Sequence, residues 1–135
     1  MKIFKKMKDG GPDSTVTGYW LIESKKLFSI VLLKFEGESR EAYHNHAFDA
    51  LSWVISGSLR EYIWVESGIG ALLTKTFHKP SLKPIFTSRD RMHKVSSDGT
   101  TWVLSFRGPW KDEWEEYNEN GHEILTHGRQ VKNRT

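Results

Sequence analysis

From Ser14 onward the chain alternates short runs of β-branched and aromatic residues with clusters of turn formers. Runs at 15–22, 27–35, 50–56, 59–66, 71–77, 83–87, 93–96 and 101–107 each read as a strand. The breaks fall at 23–26, 36–38, Gly57, 67–70, 79–81, 88–90 and 97–99, rich in Gly, Ser, Asp and charged residues. About eight strands at this spacing predict an all-β sandwich or barrel. No long stretch carries a helical period. The segment 111–120 fits either a short helix or an edge strand, and periodicity does not choose between them. The expected organisation is a basic N-terminal arm over 1–13, a barrel domain over 14–125 and a polar C-terminal tail over 126–135. The arm carries Lys2, Lys5, Lys6 and Lys8 before Gly10-Gly11-Pro12, and reads as loosely held or as an edge strand. The tail is expected to fray.

Strand alternation sorts side chains into faces. Over 59–64, Arg60, Tyr62 and Trp64 share one face, and Leu59, Glu61 and Ile63 the other. A barrel turns one of these inward. The first set suits an anionic ligand, with Arg60 as clamp and Trp64 as stacking wall. The plainer alternative puts Leu59 and Ile63 in the core and leaves Arg60 solvated. Over 101–107, Trp102, Leu104 and Phe106 look like packing, whereas Val103, Ser105 and Arg107 suit a ligand-facing surface.

Composition narrows the picture. A 135-residue chain with 37% hydrophobic and 27% charged residues is one ordinary globular domain. Aromatics reach 13%, six of them Trp, enough for some rings to line a cavity. Cysteine is absent, which excludes disulfides, thiolate ligands and Cys nucleophiles. The net charge of +3 weakly favours small anionic ligands and does not point to a nucleic-acid polymer. With no secretory-type leader and no apolar run near 18 residues, the expected setting is cytoplasmic, away from the membrane.

The sharpest chemical signal is a His-x-His pair, His44 and His46, with His93 in a later strand-like run. In a strand, residues i and i+2 point the same way, roughly 6–7 Å apart. A third imidazole from a neighbouring strand would complete a three-ligand set with positions left open for water, oxygen or substrate. Without thiolates such a set suits a divalent metal, iron(II) or zinc(II) foremost. The plainer alternative is three histidines lining a polar pocket. His78, His122 and His127 read as solvent-facing, and Asp112, Glu113, Glu115 and Glu116 as a solvated acidic face.

The stretch Gly37-Glu-Ser-Arg-Glu-Ala-Tyr-His44-Asn-His46-Ala-Phe-Asp-Ala-Leu-Ser-Trp-Val-Ile-Ser-Gly57 resembles the first signature of the cupin superfamily: a Gly, a His-x-His pair and an apolar strand ending in Gly. His93 resembles the single histidine of the second signature, although Ser88, Arg89 and Asp90 replace its Pro-x-Gly and Ser97 its Asn. The resemblance spans roughly residues 15–107. It implies a double-stranded β-helix, the cupin or jelly-roll barrel, with a divalent metal on His44, His46 and His93. The family's acid falls at Ala50, which cannot bind a metal. Asp49, one residue earlier, faces the other way unless a bulge turns it inward. What remains resembles the three-histidine, cysteine-dioxygenase-like branch.

Two function classes follow. The first is a metal-dependent, dioxygenase-like enzyme that oxidises a small, anionic molecule, with Arg60, Trp64 and Arg107 on the substrate and Tyr62 or Asp49 handling protons. The second is a binding module that sequesters a phosphorylated or nucleotide-like ligand without turnover. A homodimer is expected by analogy with other cupins.

Overall fold

A computed structural model describes residues 2–9, 14–37, 43–67, 69–118, 121–126 and 130–134. Thirteen strands run in chain order: β1 Lys2–Lys8, β2 Val16–Glu23, β3 Ser29–Glu36, β4 Tyr43–His44, β5 Ala50–Ser56, β6 Leu59–Ser67, β7 Gly70–His78, β8 Ile85–Thr87, β9 Met92–Ser97, β10 Thr100–Arg107, β11 Glu113–Asn118, β12 Gly121–Thr126 and β13 Gln130–Arg134. Among the described residues there is no helix. All eight strands read from the hydrophobic pattern are present, their ends shifted by a few residues at most.

The strands form two antiparallel sheets of a jelly roll, the double-stranded β-helix expected from the sequence. One sheet runs β1-β2-β3-β10-β5-β8 and the other β13-β12-β11-β4-β9-β6-β7. The basic arm is an edge strand, β1, paired along β2. The segment 111–120, open between helix and strand, supplies β11. The tail does not fray over its described part. It continues as β12 and β13, because β11 offers β12 a hairpin partner and β12 offers β13 another.

Gly57 turns β5 into β6 with φ of +89°. A Cβ there would stand 2.5 Å from the Thr100 carbonyl oxygen and 2.6 Å from Thr101 Oγ1, so the tight turn needs glycine.

Inward-facing residues form two apolar clusters. Trp20, Val31, Leu33, Val54, Leu59 and Val103 make the larger. Ala47, Phe48, Ala50, Trp114 and Leu125 make the smaller, with Trp110 against them. Between the sheets lies a cavity of about 670 Å³. Of the described residues, none belongs to a helix long and apolar enough to cross a membrane.

Candidate metal centre

β4 is only two residues long, yet it carries His44 into the cavity. On one side His44 stands opposite His93 of β9, and on the other opposite Glu116 of β11. Directly opposed residues in an antiparallel pair share a face, which puts all three side chains on the inner surface. The chain leaves the ladder after His44. Asn45 pins that exit to β11: its backbone N–H donates to the Glu115 carbonyl at 3.1 Å, and its Oδ1 accepts from the Glu115 N–H at 2.7 Å. His46 therefore turns inward beside His44 although it lies outside the strand.

The three imidazoles converge. Their ring centroids stand 4.9 Å apart for His44 and His46, and 5.0 Å for each of these with His93. One donor atom from each lies within 4.8 Å of the other two. Shared coordination at ~2.1 Å needs separations of about 3–4 Å, so a bound ion would draw the rings slightly inward. His93 is 5% exposed, and its Nε2 is buried without a hydrogen-bond partner. Its Nδ1 donates to Glu61 Oε2 at 2.5 Å. That bond fixes the tautomer and leaves the Nε2 lone pair facing the other rings, as a metal ligand requires. Burial, then the crowding of His44 and His93, either of which repels a second cation, and the Arg107 guanidinium hold the His46 imidazole well below its usual range, hence neutral. The donor set fits a divalent ion.

Glu61 was not singled out in the sequence, yet it anchors the centre from behind. Its carboxylate is 3% exposed. Oε1 accepts from His78 Nε2 at 2.8 Å, and Arg91 Nη1 lies 3.6 Å from Oε2. Burial alone would raise its pKa. The hydrogen bonds from His78 and His93, with the nearby Arg91 guanidinium, outweigh burial and hold it ionised far below the usual carboxylate range. His78, expected in solvent, is half-buried because it serves this carboxylate. His122 is likewise half-buried, stacked on Tyr117 and 3.2 Å from Glu115; His127 lies outside the described residues.

The other expected site residues divide by strand face. β6 turns Leu59, Glu61 and Ile63 inward, Ile63 being the register partner of His93. The face proposed for the ligand is therefore the outer one, because the inner positions of β6 must match those of β9. Arg60 lies outside the cavity, 3.1 Å from Asp98 and 3.4 Å from Ser96 Oγ. Tyr62 lies beneath Lys75 and Lys94. Trp64 packs edge-on against Tyr43 and Tyr117, at 5.8 and 5.0 Å between centroids. None of these three lines the cavity, so no clamp assembles from them. Asp49 also stays outside. No bulge swings it inward, and its Oδ1 accepts the Arg89 N–H at 2.7 Å while Ala50 takes the inner position.

Arg107 lies where alternation placed it. It is 6% exposed, lines the cavity, and its guanidinium sits 4.6 Å over the Phe48 ring. Nη2 donates to Asp9 Oδ2 at 2.7 Å, and Nε is buried without a partner. Trp20, Glu23, Lys5 and Trp110 line the same end, with Lys5 and Glu23 ion-paired at 2.7 Å. Phe48 lies between the two groups, stacked on His46 and beneath Arg107, so the imidazoles adjoin a set of aromatic rings and ion-paired side chains. Glu116, expected in a solvated acidic face, is 1% exposed and lines the cavity. As a strand, β11 alternates, so Trp114 and Glu116 point in while Glu113 and Glu115 lie on its other side.

No family model and no curated protein matches the sequence. Solved structures do match in fold. The Fe(II) form of HppE superposes with a TM-score of 0.59 at 12% identity, over 79% of this chain and 60% of that one. HEPD from Streptomyces albus, with 2-hydroxyethylphosphonate and Fe(II) bound, gives 0.61 at 11% identity. That match covers 79% of this chain and only 24% of HEPD, so the present chain spans only part of either protein's length. A sugar phosphate isomerase of the cupin superfamily from Silicibacter pomeroyi DSS-3 gives 0.56 at 13% identity, over 95% of this chain and 94% of that one.

Proposed function

We propose that this protein, whose fold is that of the cupin superfamily, is a divalent-metal-dependent enzyme that oxidises a small anionic molecule with dioxygen. The observation that carries the reading is one cavity holding both a convergent His44–His46–His93 cluster and a buried arginine. Support of a coarser kind comes from structural neighbours that hold Fe(II), one of them with a small phosphonate bound.

Bound to the three imidazoles, iron(II) would supply a Lewis-acidic, redox-active centre with open positions. The chain's own groups do the rest. Glu61 holds His93 in the tautomer that presents Nε2. Arg107 places a buried guanidinium over Phe48, its Nη1 and Nη2 held by the Asp9 carboxylate and its Nε left to meet a carboxylate or phosphonate. Leu33, Val95 and Val103 wall the cavity with apolar surface.

Metal analysis of the purified protein tests the reading. About one divalent ion per chain is expected, lost in His93→Ala, together with oxygen uptake on adding small hydroxy acids or phosphonates. By calorimetry, Arg107→Lys should weaken binding of such an anion, while Arg60→Lys should leave it unchanged because Arg60 lies outside the cavity. A metal-free protein that copurifies with a nucleotide would overturn the enzyme reading in favour of a sequestering module.

A further inference from the structure

The three imidazoles themselves bring no charge to a divalent ion, and Glu61, the anion bonded to His93, acts from behind that ring. The inner position after Asp49 is taken by Ala50, a side chain with no donor. A carboxylate is nevertheless present on the opposite flank. Glu116 is the largest fully buried side chain, at 1% exposure, and it lines the same cavity. It is the direct register partner of His44. Opposed Cβ atoms in such a pair lie about 4.5–5.5 Å apart, within reach of a glutamate side chain.

The inner face of this sheet thus carries an ordered row: Glu116 on β11, His44 on β4, His93 on β9. A second observation marks the row as a ligand site: the Nε2 atom of His93, itself nineteen-twentieths buried, has no hydrogen-bond partner. A carboxylate on that row is a hard oxygen donor placed beside the imidazoles, the mixed set that divalent ions accept.

We propose that Glu116 is the anionic donor of the centre, entering from β11 on the flank opposite Ala50. The inference rests on the metal reading given above. The Glu116 carboxylate stands outside the 4.8 Å group of donor atoms, so it closes on the ion by a change of side-chain rotamer. The role implies a preference for ions that accept mixed imidazole and carboxylate ligation, such as iron(II), manganese(II) and cobalt(II). It also gives the strands beyond residue 107 a part in the site, which the histidine motif alone does not.

The test is calorimetric titration of cobalt(II) into the full chain, with the cobalt visible absorption recorded in parallel. The proteins are the parent, His93→Ala, Glu116→Gln, Glu116→Asp and Glu115→Gln. The expected result is tight binding by the parent and loss in His93→Ala. In Glu116→Gln the affinity should fall at least ~10-fold, the loss known for disrupted metal-site partners, with an altered absorption spectrum. Glu116→Asp, which keeps the charge, should retain more affinity than Glu116→Gln and remains informative if the amide fails to fold. Glu115→Gln, on the other face of β11, should match the parent. Parent affinity and spectrum in both Glu116 variants, with His93→Ala silent, would overturn the role of Glu116 and leave the three-histidine reading standing. Absence of binding by the parent would overturn both.

Discussion

At the scale of single residues the histidine cluster is backed by a carboxylate, Glu61, that sequence patterning does not flag. Alternation along β6 sorts Glu61 with Leu59 and Ile63, but two faces are only labels until a neighbouring strand decides which is inside. The decision is made by β9, where His93 opposes Ile63. The available signal was an acid embedded in an otherwise apolar face, the kind of local inconsistency that functional sites produce. The histidines were legible because an i, i+2 pair with a distant third has few structural uses. Arg107 was legible because its strand face held Val103 and Ser105 and no charge but its own. For Glu61→Gln the buried amide keeps one acceptor but loses the charge that fixes His93. Metal affinity is expected to drop ~10–100-fold in a calorimetric titration, with the ion still bound at saturation.

At the scale of elements the hydrophobic pattern recovers eight strands, the three-residue β8 among them, and misses the very short β4 and the polar C-terminal ones. β4 has two residues, too few for any period to register. β11 to β13 are two successive hairpins built from a polar stretch, so their composition resembles solvated surface although Trp114, Glu116, Glu123 and Leu125 are buried. Trp64 shows the cost of reading a face alone: it packs against Tyr43 and Tyr117 across β6, β4 and β11, outside the cavity. The β5–β6 turn makes a sharper test of the element scale. In Gly57→Ala a Cβ must occupy space held by the Thr100 carbonyl, at a left-handed φ. A loss of roughly 1–3 kcal/mol of stability is expected, measured by urea unfolding; a loss within 0.5 kcal/mol, ordinary for a neutral surface change, would show that the turn relaxes freely.

At the scale of the whole molecule, ligation and folding are coupled. His44, His46 and His93 come from two strands and the segment leaving β4, and converge only when the barrel is closed. An ion that binds this arrangement and not the unfolded chain stabilises it by about 2.7 kcal/mol at a hundredfold excess over Kd. For a chain of this length, that is a rise in Tm of roughly 5–15 °C. Scanning calorimetry with and without a chelator should show the difference in the parent and not in His93→Ala. An equal shift in both proteins would place the stabilising ion elsewhere.

The brevity of β4 has a kinetic counterpart. Strands β11 to β13 join the rest of their sheet through β4, whose ladder to β11 spans Tyr43 and His44 only. The C-terminal strands are therefore expected to open as a separate cooperative unit, ahead of global unfolding. In hydrogen–deuterium exchange, the backbone amides of β12 should be replaced by deuterium together, and faster than those of β3 and β10 deep in the other sheet. Loading the centre should slow the exchange of β12 selectively if Glu116 ties β11 to the ion.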